Sequence, residues 1–83
     1  MNGEVRVYAL STCPYCRRTK RFLDDNGVHY VAVDVDLLSD EEQDTVIAEI
    51  ERLSGRQSFP VVVVGEEVVV GHDPDRLRRA LGL

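Results

Sequence analysis

The run Val5-Arg6-Val7-Tyr8-Ala9-Leu10-Ser11-Thr12-Cys13-Pro14-Tyr15-Cys16-Arg17 decides how the rest of the chain is read. Residues 5–10 are β-branched and aromatic with partial alternation, the pattern of a strand. Ser11-Thr12 then leads into two cysteines that enclose Pro14. Proline suits the first turn of a helix, where its missing N–H is not needed. A helix is predicted over 14–26, with Phe22 and Leu23 buried and Gly27 closing it in a left-handed cap. The cysteine pair thus stands where a strand hands over to a helix.

Working outward, residues 29–35 form a second strand, with Tyr30, Val31, Val33 and Val35 as its β-forming side chains. Ser39 with Glu42 three positions on is a capping box that opens a helix to about Leu53. Val46, Ile47, Ile50 and Leu53 make its apolar stripe, and Gly55 stops it. Pro60 precedes a third strand, 61–64, which turns through Gly65-Glu66-Glu67 into a fourth, 68–70, as an antiparallel hairpin. Asp73 caps and Pro74 starts a last helix whose Leu77, Ala80 and Leu81 face the core. The order β-α-β-α-β-β-α, with a right-handed crossover in its parallel half, gives an α/β fold: a four-stranded mixed sheet with helices on both faces.

Eighty-three residues make one domain, which buries about 60–65% of its unfolded surface. A domain of this size has little bulk for a deep pocket, so its chemistry is expected at the surface, on groups that partners bring. Met1-Asn2-Gly3-Glu4 has no basic stretch followed by an apolar run, and the apolar runs at 61–64 and 68–70 fall far short of a membrane span. A cytoplasmic, monomeric protein without membrane contact is expected. The net charge of −5 argues against nucleic acid as the main partner. Residues 1–21 nevertheless carry five basic groups against one acid, and residues 22–83 carry five against fourteen. The positive end is the end with the cysteines.

Only two cysteines occur, three positions apart. A bond across two intervening residues removes little loop entropy, so stability is a poor reason for the pair and redox chemistry a better one. The unpaired N–H groups and positive dipole end of a helix favour a thiolate at its N-terminus. Arg17, Arg18, Lys20 and Arg21 add positive charge, weakened by exposure and salt. Cys13, at the cap, gains most and is the attacking thiolate; Cys16, a turn further in, is shielded and resolves the mixed disulfide, leaving a Cys13–Cys16 disulfide. The alternative is half of a zinc site. Zinc wants four ligands, and only His29 and His72 remain, 13 and 56 positions beyond Cys16. No metal or other bound cofactor is therefore expected.

Cys13-Pro14-Tyr15-Cys16 followed by Arg17 resembles the dithiol glutaredoxins of the thioredoxin superfamily, and the element order matches that family's fold over essentially the whole chain, 1–83. The resemblance implies a thiol–disulfide oxidoreductase that reduces protein disulfides, with glutathione as a possible co-substrate. Ser58-Phe59-Pro60 sits where glutaredoxins carry Thr-Val-Pro. By that resemblance Pro60 is cis and the Phe59 backbone pairs with a bound peptide or glutathione, whereas a proline at this place is otherwise an ordinary trans strand starter. The same resemblance places Tyr15, Gly71, His72 and Asp75 in the substrate site, with Pro14 and Arg17 supporting the cysteines.

Three positions depart from the glutathione-binding pattern. Leu10 stands where glutaredoxins often carry lysine. Gln57 replaces a frequent basic residue, although Arg56 is adjacent. Pro74 interrupts the Gly-Gly loop and has no N–H to donate. Gly71-His72-Asp73-Pro74-Asp75 also resembles the loop of NrdH-type redoxins, which take electrons from thioredoxin reductase and pass them to ribonucleotide reductase. The electron donor is thus glutathione or a thioredoxin reductase. An iron–sulfur carrier, in which Cys13 of two chains and two glutathiones hold a cluster, is a third reading; Pro14 stiffens the turn and opposes it.

Other residues have plainer alternatives. Tyr15 either leans over a bound partner or is a solvated aromatic, and His72 either contacts a partner or is simply solvated. Asp34 and Asp36 are expected as solvated strand ends, with assistance to Cys16 deprotonation as the sharper option. Arg78 and Arg79 complement the dipole of the last helix.

Overall fold

The computed structural model describes residues 4–55 and 58–83. Its elements are β1 (Val5–Ala9), α1 (Pro14–Asp25), β2 (Val31–Asp34), a 3-10 turn (Val35–Leu37), α2 (Asp40–Ser54), β3 (Val61–Val64), β4 (Glu67–Val70) and α3 (Pro74–Leu81). The strands lie in the order β2-β1-β3-β4. β1 pairs parallel with β2, and β3 pairs antiparallel with both β1 and β4.

Strand alternation sorts the side chains into two layers. Val5, Val7, Ala9, Val62, Val64 and Val69 point to one face and pack with Cys16 and Leu23 of α1 and Leu77 of α3. Tyr8 and Val61 point to the other, where Ile50 of α2 and Val35 close over them. Val7, Leu23, Ile50, Val61, Val62 and Leu77 are each 0% exposed, and burial of such a side chain is worth about 1.5–3 kcal/mol. Helices therefore cover both faces of a four-stranded mixed sheet, as expected.

Three strands differ in their bounds from the sequence expectation; β1 stops at Ala9, one residue short of Leu10. The predicted strand over 29–35 is shortened to Val31–Asp34; among the described residues β2 is an edge strand paired with β1 alone. Its ladder begins at Arg6↔Val31 and ends at Ala9↔Asp34, where β1 itself stops. Val35 turns inward to 3% exposure and starts the 3-10 turn instead. The fourth strand begins one residue early, since Glu67 pairs with Val64 and leaves a two-residue turn. Gly65 takes φ +58 there, at the first turn position, where a positive φ suits a tight hairpin.

The helix ends follow the expected chemistry. Ser39 and Glu42 make the reciprocal capping box of α2, and Gly55 ends that helix at φ +78. The Asp73 side chain accepts the Arg76 N–H at the start of α3. Among the described residues no helix is long and apolar enough to cross a membrane.

Candidate active site

The loop from Ala9 to Pro14 delivers Cys13 to the N-cap of α1 in an extended conformation, φ −84 and ψ 119. Its sulfur accepts the Cys16 N–H at 3.3 Å, and its carbonyl accepts the Arg17 N–H at 3.1 Å. Pro14 occupies the first turn, where no N–H is needed. One turn in, Cys16 lies on the buried face with Thr19 and Leu23 and is 0% exposed. Its sulfur accepts the Leu10 N–H at 3.5 Å. Both cysteines are free thiols, Cys13 half-buried and Cys16 buried.

This geometry separates the two acidities. Partial burial pushes the Cys13 thiol up, but it is outweighed by the Cys16 thiol, the N–H groups of Cys16 and Tyr15, and the Arg17 guanidinium, so the net shift is downward. Cys16 is pushed up to about 12, first by burial and then by the Cys13 sulfur beside it. A half-exposed sulfur that ionises early thus sits against a buried one that holds its proton.

Phe59-Pro60 is a cis peptide bond, the isomer that the family resemblance implies. Pro60 is buried, and Phe59 and Cys13 each pack against the core layer under α1, Phe59 also reaching the layer on the other face. The Pro60 carbonyl accepts the Gly71 N–H at 2.8 Å, which ties the loop after β4 to this segment. Gly71 takes φ +82, a conformation that favours glycine. The loop is tied to the cysteine helix as well, because His72 Nδ1 lies 2.9 Å from Thr19 Oγ1. Cys13, Phe59, Pro60, Gly71 and His72 are thereby drawn to one end of the sheet.

Other sequence expectations fall differently. Tyr15 points outward, 57% exposed, with the Arg18 guanidinium 5.5 Å from its ring centre. Asp75 reaches Arg78 on its own helix at 3.7 Å and is otherwise open to solvent. Asp34, half-buried at the end of β2, and Asp36, exposed in the 3-10 turn after it, both take partners rather than standing free in solvent. Asp34 points to the α1 face and pairs with Lys20 Nζ at 2.8 Å. Asp36 accepts both the N–H and the hydroxyl of Ser11, at 2.8 and 2.5 Å, and those bonds hold its carboxyl below the usual range. It thereby pins the loop before Cys13 to the end of β2. Arg78 lies over the Phe22 ring, 5.4 Å from its centre, so it serves packing as well as the helix dipole.

Among the described residues no three of His, Cys, Asp and Glu gather as a metal site. His72 is engaged by Thr19, and His29 lies beside Val5, Val64 and Leu83 at the opposite end of the sheet. Arg56 and Gln57, which bear on the glutathione-binding pattern, lie outside the described residues.

The model of the glutaredoxin family matches residues 5–69, more than half of the chain. The chain belongs to the glutaredoxin family. Its members are generally thiol oxidoreductases. The crystal structure of a glutaredoxin from Archaeoglobus fulgidus superimposes with a TM-score of 0.91 at 41% identity, over 94% of this chain and 85% of that one. Methanoredoxin from Methanosarcina acetivorans gives 0.92 at 39% identity, over 98% and 86%. Among curated relatives, the glutaredoxin-like protein NrdH of Salmonella typhimurium is 32% identical over 90% of this chain and 85% of its own length. This glutaredoxin thus has likenesses both among proteins named glutaredoxin and among NrdH redoxins.

Proposed function

We propose that this glutaredoxin reduces protein disulfides through Cys13 and Cys16. The Cys13 thiolate attacks one sulfur of the substrate disulfide, forming a mixed disulfide and expelling the other sulfur as a thiolate. Cys16 then gives up its proton to the expelled thiolate or to water and attacks the Cys13 sulfur, breaking its bond to the substrate, so the substrate leaves fully reduced and the Cys13–Cys16 disulfide carries the two-electron oxidation. Once Cys13 is bound in the mixed disulfide it no longer presents a thiolate to Cys16, so part of the cause that holds the Cys16 proton is gone. Phe59, Pro60, Gly71 and Asp75 line the place where the substrate backbone or a small thiol rests, with Tyr15 at its rim.

The single observation that carries this reading is the placement of two adjacent thiols, one half-exposed on a helix cap and one buried a turn further in. A dithiol built only for packing would have no need of a half-exposed sulfur on a helix cap.

The electron donor follows from the loop around the site. Leu10 offers no charge to a glutathione carboxylate, and Pro74 opens α3 without an N–H, so both favour a thioredoxin reductase over glutathione. The likeness to an NrdH protein supports ribonucleotide reductase as one oxidised partner. The test supplies NADPH with glutathione and glutathione reductase in one assay, and NADPH with thioredoxin reductase in another, using insulin as the disulfide. Turnover is expected chiefly in the second and lost in Cys13→Ser. Fast turnover with glutathione would overturn the donor assignment, and an active Cys13→Ser protein would overturn the mechanism.

A further inference from the structure

Thr19 is the buried polar side chain among the described residues, 0% exposed and one turn beyond Cys16 on the same helix face. A threonine in mid-helix commonly bonds back to the carbonyl four residues before it. This one instead faces His72 Nδ1 at 2.9 Å, 53 positions along the chain. A hydroxyl taken out of water without a partner costs stability, and His72 supplies the partner. No buried side-chain nitrogen or oxygen is left unbonded among the described residues.

His72 sits between two fixed points. Gly71 before it bonds the Pro60 carbonyl, and Asp73 after it caps α3. Residues 71–73 have no strand or helix of their own, so side-chain and turn bonds decide where their backbone lies. The α3 helix is already seated by Leu77 in the core and by Arg78 over Phe22. The bond to Thr19 adds what those contacts do not, a direct link from the loop to the helix that carries both thiols.

We propose that the Thr19–His72 hydrogen bond is a positioning contact: it holds the loop 71–73, and with it the first residues of α3, against the dithiol and so sets affinity for the disulfide partner, without entering the sulfur chemistry. The inference rests on the reading of this loop as part of the substrate site. Thr19→Val keeps the shape and removes the hydroxyl. In insulin-disulfide reduction it raises KM about fivefold while kcat changes less than about twofold, the size expected for one hydrogen bond. Thr19→Ser restores the wild-type KM. His72→Ala truncates a half-exposed ring, so it remains informative should Thr19→Val fail to fold, and it raises KM in the same direction. The double variant is no worse than either single one, because both remove the same bond.

Hydrogen exchange at the Gly71 and Asp75 amides, followed without substrate, quickens in both single variants. Unchanged exchange, a fall in kcat at constant KM, or failure of serine to restore KM would overturn the proposal. Quickened exchange in a protein whose wild type reduces no disulfide would instead overturn the oxidoreductase reading and leave the tether standing.

Discussion

Cys13 and Cys16 share a side chain and a helix, yet their surroundings drive their acidities apart. The causes are local enough to be separated by substitution. In Cys16→Ser a hydroxyl still faces the Cys13 sulfur, so its thiolate should form below the ordinary value of 9.0. Cys16→Ala removes that donor and should raise the Cys13 pKa relative to the serine variant, read from thiolate absorbance against pH. Cys16 gives a second pH signature with a definite sign. Its folded pKa, about 12, lies above the ordinary 9.0, so its contribution to stability is complete below pH 9.0 and is lost as pH rises toward 12. The reduced protein should therefore lose more stability over that alkaline range than Cys16→Ala does, as followed by urea unfolding. The contacts of Thr19 with His72 and of Asp36 with Ser11 belong to this scale too, and neither was legible in the sequence. Thr19 did leave one trace there, a polar residue on the stripe otherwise set by Cys16 and Leu23.

At the scale of elements, local chemistry was read more faithfully. The helices start and stop where proline, capping side chains and glycine say they should, because these act over three or four residues and need no distant partner. That makes them good places to measure. Ser39→Ala removes the capping-box acceptor and should cost about 1 kcal/mol in urea unfolding. Gly55→Ala forces a side chain into φ +78 and should cost about 1 kcal/mol as well, although nothing lies within 4 Å of the added carbon. Backbone strain alone is then the cause. The second strand is where local reading failed: its β-forming run extends to Val35, but hydrogen bonding stops where β1 runs out of partners. Strand length is a property of the pair.

For the whole molecule, two layers on one thin sheet make the core sensitive to single deletions. Total stability of a chain this size is roughly 4–12 kcal/mol at about 0.05–0.15 kcal/mol per residue. Leu23→Ala, under the helix that carries the thiols, should cost about 2–5 kcal/mol and show as a much lower midpoint in thermal melting. The layers also divide the charge. α1 and α3, on one face, expose Arg17, Arg18, Arg21, Arg76, Arg78 and Arg79, while α2 on the other begins with Asp40, Glu41 and Glu42. Since Cys13 opens α1, a disulfide flanked by acidic residues should be reduced faster than one flanked by basic residues. Added salt should narrow that difference, as measured by second-order rates in rising sodium chloride.

The order of elements, the capped helix ends and the pairing of an outer with an inner cysteine were determined by the chain alone, because turn, cap and periodicity signals act between near neighbours. Only the folded molecule decided which polar groups meet across it. Thr19 finds His72, Ser11 finds Asp36 and Lys20 finds Asp34 because packing the two layers closes gaps of 14 to 53 residues. Hydrogen bonds reach about 3 Å, and no local pattern encodes which distant atoms will come within it.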